Sequence, residues 1–291
     1  MTTMYNTSHN SQCSRRHLIM NPHNIRLVAL DMDGTLLHED KRISRRTLQT
    51  VQKLADAGIR VVPATGRGLD GLRGTILQVS PICHAICSNG AAIQDPASGA
   101  VLEETPIPIP EAIRLLEYYR DRPLFFYLHT SQGPVRPEGW KESGLAARFP
   151  YLRFDTSTVP DLIQWLGGTK ASLWKIGVFP HSDQAFQEML REGSPLPSMK
   201  LMRTGECNIE INSVHASKGN ALKSLCARLD IPMSSVLAIG DNQNDIEMLR
   251  FAGVSVAMGN AKEDVKSAAR FVTGSNEADG AAEFLERYFW G

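Results

Sequence analysis

Short apolar runs alternate with helical patterns at both ends of this chain, and the alternation is absent from its middle. The runs of strand length are residues 25–30, 59–64, 84–87, 236–240 and 254–258. Residues 44–58 and 219–230 lie beside such runs, and their apolar residues recur at the spacing of one helical face. Strands that alternate with helices predict βαβ units and therefore a parallel sheet.

Local signals mark the boundaries of several of these helices. Ser44 is a typical N-cap residue for the first one. Residues 245–252 form a short helical pattern, and Asn260 with Glu263 resembles a capping box for the helix that follows. A last short strand is predicted at 271–273, before a final helix.

Residues 92–211 interrupt the alternation. This stretch is rich in Pro, Gly and aromatic residues and mixes both types of element. Its predicted strands are 124–128, 172–179 and 207–211, and its predicted helices are 110–119 and 182–191. We interpret it as an α+β module inserted into an α/β domain. Residues 25–91 and 212–291 would then form one core, divided in the sequence but joined in space.

Composition and charge exclude several classes of protein. Lys and Arg total 31, as do Asp and Glu, so the formal net charge of the 291-residue chain is zero. No overall basic field exists to hold nucleic acid or an anionic membrane, which leaves room only for a local basic pocket. No apolar run approaches the roughly 20 residues that span a bilayer, so we expect no membrane partner.

The start of the chain and its cysteines bear on location. Residues 1–24 are polar and lack the apolar stretch of a secretory signal, so we expect a disordered tail, with Met20 as an alternative start. The five cysteines are Cys13, Cys83, Cys87, Cys207 and Cys226. Their odd number and irregular spacing do not indicate a disulfide framework, which favours a reducing, cytoplasmic location.

Two carboxylates follow the first predicted strand, in the run Leu30-Asp31-Met32-Asp33-Gly34. Asp31 and Asp33 would point the same way for as long as the strand lasts. Carboxylates held close together repel each other, and either a bound cation or a shared proton offsets that repulsion. Ligands in open α/β sheets bind beyond the carboxyl ends of the strands, where this pair lies. A plain Asp-Gly turn is the competing interpretation.

Three further segments carry polar residues suited to a phosphate and a metal ion. Thr65 follows the second predicted strand with a hydroxyl that can donate to phosphate, and Gly66 lets the backbone approach closely. Lys218 precedes a helix N-terminus, where both the ammonium group and the helix favour anions. Asp241 and Asp245 follow the fourth strand and supply the hard oxygen ligands that Mg²⁺ prefers.

These four segments resemble the four motifs of the haloacid dehalogenase-like (HAD) superfamily. The spacing, the form of the last motif and an insert after the third strand are similar to its Cof-type branch, as are the runs 88–91 and 257–261. The resemblance extends from residue 25 to the C-terminus. It implies an α/β fold with a Rossmann-like parallel-sheet core (25–91 and 212–291) and an inserted α+β cap domain (92–211). It also implies a Mg²⁺-dependent phosphatase of small phosphorylated metabolites, such as sugar phosphates or phosphorylated cofactors.

The same resemblance implies a role for each matching residue. Asp31 would be the nucleophile that becomes an aspartyl-phosphate. Asp33 would be the general acid for the leaving alcohol and then the base for the hydrolytic water. Mg²⁺ would be held by the Asp31 carboxylate, the Asp33 backbone carbonyl and the Asp241 carboxylate. The phosphate would be bound by the Met32 backbone amide, Thr65, Gly66, Lys218 and Asn244. Asp245 would orient Lys218 or waters on the metal.

The sequence is compatible with three activities. An Asp at position 33 favours a phosphatase or a phosphomutase, because transport ATPases with a similar motif carry Thr there. A phosphotransferase that uses an acceptor other than water is therefore an alternative to hydrolysis. A non-catalytic sensor of a phosphorylated ligand is another, although such proteins usually lack a nucleophile or a metal ligand. Both a monomer and a homodimer are compatible with the sequence.

The insert in this family is a lid that selects the substrate. Candidates for its substrate-facing surface are Tyr127, His129, Trp140, Trp174, Glu206 and Asn208, although packing is the more frequent role of such residues. Glu210, on the strand that returns to the core, is interpreted as structural. His215 stands where the branch more often has Gly; we interpret it as a loop variation, with a histidine that reaches the leaving group as the alternative.

Overall fold

The elements of the chain follow the predicted alternation at its two ends. The computed structural model describes residues 24–79, 81–139, 157–204 and 208–291. Its strands are β1 (Leu27–Leu30), β2 (Arg60–Pro63), β3 (Ala85–Cys87), β4 (Ala92–Gln94), β5 (Val101–Glu104), β6 (Leu124–Thr130), β7 (Gly133–Pro137), β8 (Ser157–Val159), β9 (Leu173–Pro180), β10 (Met199–Arg203), β11 (Ile209–Ser213), β12 (Val236–Gly240), β13 (Val254–Ala257) and β14 (Phe271–Val272). Its α-helices are α1 (Arg45–Asp56), α2 (Ile109–Tyr118), α3 (Leu162–Gly168), α4 (Asp183–Glu192), α5 (Lys218–Arg228), α6 (Ile246–Phe251), α7 (Glu263–Ala268) and α8 (Gly280–Trp290).

Five parallel strands form the core sheet, in the order β14-β13-β12-β1-β2. Strand β1 therefore lies between β2 from the first part of the chain and β12 from the last. Helices α1 and α8 pack on one face of this sheet, and α5, α6 and α7 pack on the other. The predicted α/β fold with a parallel sheet is confirmed.

Burial on both faces explains why β1 is an unbroken apolar run. Val28 and Leu30 point to the layer of α1 and α8, whereas Leu27 and Ala29 point to the layer of α5 and α6. All four side chains are fully buried. A parallel strand covered by helices on both sides needs apolar residues at every position, not at alternate ones.

The helix boundaries agree with the sequence signals in one case and differ in another. Ser44 caps α1, because its side chain accepts a hydrogen bond from the backbone amide of Thr47. The predicted capping box of Asn260 and Glu263 is wrong, since α7 starts after Lys262 without a side-chain cap. Asn260 instead connects two loops: it donates to the Gly34 carbonyl and accepts from the Asn276 amide.

A small antiparallel sheet, β3-β4-β5, extends from the edge of the core. A parallel bridge between Ala64 and Ile86 links β3 to the end of β2. Strand β4 therefore pairs with β3, and β5 pairs with β4, although both lie beyond the predicted domain boundary at residue 91. The division of the chain into core and cap at residues 91 and 211 stays a prediction.

Six strands of the inserted stretch form a second sheet, the cap sheet, in the order β10-β11-β9-β6-β7-β8. Its neighbours are antiparallel except β7 and β8. Helices α2, α3 and α4 pack on one face, against side chains such as Leu128 and Ile176. The side chains at alternate positions of the strands lie on the opposite face of the sheet. That face is turned to the core, because Lys175 contacts Gly66.

Several predictions fall outside the described residues. Residues 1–23 of the expected tail, with the alternative start Met20, are among them, as are the cap candidates Trp140 and Glu206. Of the described cysteines, Cys83, Cys87 and Cys226 are free thiols. No helix in the described ranges is both long and apolar enough to cross a membrane.

Candidate active site

The carboxyl ends of three neighbouring core strands carry the predicted polar residues. Asp31 follows β1, Thr65 lies just beyond β2, and Asp241 follows β12. Because β1 lies between β2 and β12, these ends are side by side. Lys218 joins them from the first residue of α5, which Ser217 caps. The fold thus brings together residues from four separated segments.

Lys218 lies inside the site, between two carboxylates. Its Nζ donates to Asp31 Oδ1 at 2.5 Å and to Asp245 Oδ1 at 2.7 Å. Burial alone would lower the pKa of Lys218, but Asp245 and Asp31 outweigh burial and raise it. Lys218 is therefore a buried, permanently charged cation next to Asp31.

Asp245 uses both of its carboxylate oxygens to hold other groups. Oδ1 accepts from Lys218, and Oδ2 accepts from the backbone amides of Asp241 and Asn242, each at 3.0 Å. With the Asn242 side chain it also forms a capping box on the 3₁₀ turn Gln243–Asp245. Asp245 thus positions both the ammonium group and the loop that carries Asp241.

Asp31 and Asp241 offer oxygens that suit a divalent cation. One carboxylate oxygen from each of Asp31, Asp241 and Asp245 lies within 4.8 Å of the others. Burial raises the pKa of Asp31 well above its usual value and raises that of Asp241 to about 6, and the neighbouring carboxylates add to both shifts. A bound cation relieves such crowding, and hard oxygen donors suit Mg²⁺. The residues present therefore fit a divalent metal ion.

The turn after β1 brings the backbone very close to Asp241. Thr35 Oγ1 donates to Asp241 Oδ1 at 3.1 Å. Gly34 has a φ of +80°, and a Cβ atom at this position would lie 2.3 Å from Asp241 Oδ2. A glycine is required here both by the backbone conformation and by the position of the Asp241 carboxylate.

Asp33 has different partners from Asp31. Arg67 makes a bidentate ion pair with it, with Nε 2.6 Å from Oδ2 and Nη2 2.7 Å from Oδ1. Lys41 Nζ lies 3.0 Å from Oδ1. Burial acts to raise the pKa of Asp33, but Arg67 and Lys41 together lower it to about 2. While Arg67 and Lys41 contact it, Asp33 is ionised at neutral pH.

The backbone turn explains why the two carboxylates diverge. Strand β1 ends at Leu30, so strand parity does not extend to Asp31 and Asp33. The Met32 carbonyl accepts from the amides of Leu36 and Leu37 at 3.0 and 2.9 Å, which closes a tight turn. The two side chains then bond to different cations, Asp31 to Lys218 and Asp33 to Arg67 and Lys41.

Neither Arg67 nor Lys41 was predicted to belong to the site. Arg67 directly follows Thr65 and Gly66, so a cation beside the predicted phosphate residues was visible in the sequence. Lys41 gives no such signal, because it lies in a polar loop eight residues from Asp33. Only the folded loop brings its ammonium group to that carboxylate.

The predicted phosphate-binding residues surround the same strand ends. Thr65 is 1% exposed, and its Oγ1 accepts from the Arg67 amide at 3.1 Å. The side chain of Met32 is buried below the turn. Asn244 Nδ2 donates to Asn89 Oδ1 at 3.0 Å. Asn89 was not predicted as part of the site, although it lies in the run 88–91 that carried part of the family resemblance.

The cap sheet meets the core through buried polar contacts. Lys175 Nζ, on β9, donates to the Gly66 carbonyl at 2.6 Å and to Glu210 Oε1 at 2.5 Å. Glu210 Oε2 accepts from Asn89 Nδ2 at 2.7 Å. Glu210, interpreted as structural from the sequence, thus bonds to side chains of both the cap sheet and the core.

The described cap candidates differ in what they contact. Tyr127 is 6% exposed and meets the His129 ring edge to face, with ring centroids 4.7 Å apart. Trp174 is 5% exposed, and its Nε1 donates to Glu104 Oε2 at 2.8 Å. Asn208 donates to Thr204 Oγ1 at 3.0 Å.

His215 lies exposed in the loop between β11 and α5. Its carbonyl accepts from Asn220 Nδ2 at 3.2 Å, which ties the loop to the first turn of α5. The two interpretations of His215, a loop variation or a group that reaches the substrate, both remain predictions.

Comparison with known proteins covers almost the whole chain. Residues 28–285 match the family model of haloacid dehalogenase-like hydrolases. The chain is 30% identical to 5-amino-6-(5-phospho-D-ribitylamino)uracil phosphatase YitU of Bacillus subtilis, over 90% of this chain and 97% of that protein. It is 28% identical to pyridoxal phosphate phosphatase YbhA of Escherichia coli, over 89% and 97%. A solved haloacid dehalogenase-like hydrolase from B. subtilis matches with a TM-score of 0.79 and 27% identity, over 90% and 99% of the two chains.

Proposed function

The chain belongs to the haloacid dehalogenase-like hydrolases as a Cof-type phosphatase, and from this premise we propose that it hydrolyses small phosphorylated metabolites through an aspartyl-phosphate on Asp31. The observation that carries the proposal is the ion pair of Asp31 with the buried Lys218, beside the Asp241 carboxylate. Relatives that act on pyridoxal phosphate and on a phosphorylated ribitylaminouracil support phosphorylated cofactors or sugar phosphates as the substrate class.

The Asp31 and Asp241 carboxylates, with the Asp33 backbone carbonyl, are the proposed ligands of Mg²⁺. When bound, the metal ion would neutralise charge on the phosphoryl oxygens during transfer. Asp245 is not needed as a ligand, because Lys218 and two backbone amides already occupy its oxygens.

The proposed first step forms a bond between an Asp31 carboxylate oxygen and phosphorus and breaks the bond from phosphorus to the leaving alcohol. Lys218 would reduce the repulsion between Asp31 and the anionic substrate, since its ammonium group already lies 2.5 Å from Asp31 Oδ1. In the second step water attacks phosphorus, which releases inorganic phosphate and restores the Asp31 carboxylate.

Asp33 would donate a proton to the leaving alcohol and later accept one from the attacking water. The first role requires a protonated Asp33, whereas Arg67 and Lys41 hold its pKa at about 2. We therefore propose that the substrate phosphate draws Arg67 and Lys41 away from Asp33. Loss of these partners would raise the pKa of Asp33 at the moment when the leaving group needs a proton.

Donors around the phosphate would complete the site. The Thr65 hydroxyl, the Asn244 amide, the Lys218 ammonium group and the backbone amides of Met32 and Gly66 are the proposed contacts. Donors fixed in place before the substrate arrives stabilise charge on the transferring group without reorganisation.

The free described cysteines support the proposed cytoplasmic location, and a monomer or homodimer remains the proposed state.

Phosphate release across a panel of phosphorylated metabolites, with Mg²⁺, tests the proposal. The panel would include pyridoxal phosphate, the phosphorylated ribitylaminouracil and several sugar phosphates. An Asp31→Asn variant keeps the side-chain shape without the carboxylate, and we expect it to lose about 10⁴-fold or more of the activity. No release by the wild type would contradict the proposal, and equal release by both proteins would point to a contaminating phosphatase.

Isotopically labelled water separates hydrolysis from transfer. Hydrolysis places one solvent oxygen in the released phosphate, because water attacks phosphorus in the second step. A phosphotransferase or phosphomutase would pass the phosphoryl group to an alcohol without that label. Mass spectrometry of the released phosphate therefore decides between the two activities.

A further inference from the structure

Three asparagine amides form a continuous chain from the cap sheet to the phosphate-binding loop. Asn212 lies on β11, Asn89 in the turn after β3, and Asn244 in the loop after β12. Asn89 Nδ2 donates to Asn212 Oδ1 at 3.0 Å, and Asn244 Nδ2 donates to Asn89 Oδ1 at 3.0 Å. Asn212 and Asn89 are 0% and 1% exposed, so water does not compete for the bond between them.

The orientation of each amide in this chain of asparagines is fixed, because the first amide donates to backbone carbonyls. Asn212 Nδ2 donates to the carbonyls of Ser88 and Trp174, each at 3.0 Å. Carbonyl oxygens only accept hydrogen bonds, so the amide of Asn212 fits in one orientation only. Its Oδ1 must then face Asn89.

The amide of Asn89 is also held in one orientation. Its nitrogen meets two acceptors, Asn212 Oδ1 at 3.0 Å and the Glu210 carboxylate at 2.7 Å. A flipped amide would set its oxygen against both of them. The backbone of Asn89 is held as well, at a φ of 60°, where its amide donates to the Thr65 carbonyl. Its Oδ1 is therefore directed to Asn244.

The last amide of the series belongs to Asn244, the side chain proposed to bind phosphate. Only the nitrogen of Asn244 can bond to Asn89 Oδ1, and this uses one of its two N–H groups. Asn244 Oδ1 is buried and has no hydrogen-bond partner among the described residues, so nothing there pulls the amide the other way. A reversed Asn244 would turn an oxygen, not an N–H, toward the proposed phosphate position.

We propose that Asn212 and Asn89 are positioning residues that fix the Asn244 amide with its free N–H available to the substrate phosphate. The inference rests on the proposed function, since it assigns no role without a phosphate at Asn244. It also makes the cap sheet part of the phosphate site, because Asn212 and Glu210 both lie on β11.

A second contact between cap and core supports the same dependence. Lys175 holds the Gly66 carbonyl, and Glu210 holds both Lys175 and Asn89. A Cβ atom on Gly66 would lie 2.9 Å from Asn89 Oδ1 and 3.3 Å from Glu210 Oε2. The phosphate-binding Gly66 therefore packs directly against the same polar group that orients Asn244.

A double-mutant cycle on binding of inorganic phosphate tests this inference. The Kd for inorganic phosphate in the presence of Mg²⁺ would be measured for the wild type, Asn89→Ala, Asn244→Ala and the double variant. We expect each single variant to weaken binding about ten-fold, the scale of one hydrogen bond to a charged group. We expect the double variant to bind like Asn244→Ala alone, because Asn89 acts through Asn244.

Asn212→Ala extends the test to a residue that does not contact Asn244. We expect it to weaken phosphate binding in the wild-type background and to have no effect in the Asn244→Ala background. It also replaces Asn89→Ala in the cycle if that variant does not fold. Thr50→Ala is the control, since Thr50 is also a buried polar residue and its hydroxyl donates to Glu286 Oε1 on α8, away from the strand ends. It should lower the melting temperature but retain wild-type phosphate affinity.

Each result separates this inference from the proposed function. Independent, multiplicative losses in the double variant would overturn the positioning role, as would unchanged phosphate affinity in Asn89→Ala. Turnover by the wild type in that case would leave the proposed function standing. A wild type that neither binds phosphate nor releases it from any metabolite would overturn both.

Discussion

The surroundings of Asp31 and Asp33 differ sharply, although only Met32 separates these carboxylates in the sequence. Asp31 lies in an inner pocket with Lys218, Asp241 and Asp245, where burial raises its pKa. Asp33 forms an outer pair with Arg67 and Lys41, which lower its pKa to about 2. Burial acts to raise the pKa of both groups. Around Asp31 two further carboxylates add to burial and Lys218 does not outweigh it, whereas around Asp33 two cations do. The proposed function assigns these two environments different roles: one carboxylate beside a metal ion and another for proton transfer.

Removing the cation of the inner pocket should have the largest effect on this comparison. Lys218→Met leaves Asp31 and Asp245 buried without their shared partner, so we expect the free energy of unfolding to fall by about 3–5 kcal/mol. Phosphate release should fall by about 100-fold or more, because a preorganised charge is lost. Urea unfolding in EDTA and steady-state kinetics measure the two effects.

Lys223→Met is the control for this substitution. Lys223 lies on the same helix, α5, but is exposed. We expect its effect on stability to stay within about 0.5 kcal/mol, as for most surface substitutions. Similar losses in Lys218→Met and Lys223→Met would show that the ion pairs of Lys218 do not stabilise the inner pocket.

Weakening the outer pair should make Asp33 more like an ordinary carboxyl group. We expect Arg67→Met to raise the pKa of Asp33 from about 2 toward its usual 3.8. Lys41→Met should raise it less, because Lys41 makes one contact and its side chain is 57% exposed, against two contacts and 27% for Arg67. Carbon-13 NMR titration of the Asp33 carboxyl group measures both shifts.

The sign of the linked stability change follows from the lowered pKa. The contribution of the outer pair is present above pH 3.8 and is lost as the pH falls toward 2. The difference in stability between wild type and Arg67→Met should therefore shrink over that range. An equal or larger pKa shift in Lys41→Met would contradict the ranking of the two cations.

The smallest expected effect is the pH dependence of the metal-free inner pocket. Asp241, with a pKa of about 6, favours the folded state when protonated, so this contribution is lost as the pH rises through 6. Mg²⁺ should restore stability where Asp241 is ionised. We expect Mg²⁺ to raise the melting temperature more at pH 8 than at pH 5, measured by scanning fluorimetry against EDTA. Asp241→Asn should remove this difference, and an equal rise at both pH values in the wild type would contradict it.

The inner pocket could be predicted from the sequence because its residues lie at strand ends. Once the apolar runs predicted a parallel sheet, the polar residues after each run had to meet at one edge, which is where Asp31, Thr65 and Asp241 lie. The cap strands at 124–130 and 173–180 could also be predicted, since their apolar residues form the hydrophobic core between the cap sheet and its helices.

The outer pair and the chain of asparagines could not be predicted in the same way. Asn89 and Asn212 are 123 residues apart, and no periodicity relates a polar residue in a core turn to one on a cap strand. Asn260 shows a further limit, because its sequence suits a helix cap while its side chain is used to connect two loops. Local signals describe the nearest turn of chain and do not report the partner that a fold brings from far away.

The central place of β1 in the core sheet has a consequence for the order of events during synthesis. One neighbour of β1, strand β12, ends at Gly240, so about five-sixths of the chain must leave the ribosome before β1 is paired on both sides. Strands β6 to β11 pair only among themselves and are available earlier. We therefore expect the cap sheet to form first in a nascent chain. The core sheet can be completed only after its last strands have been synthesised.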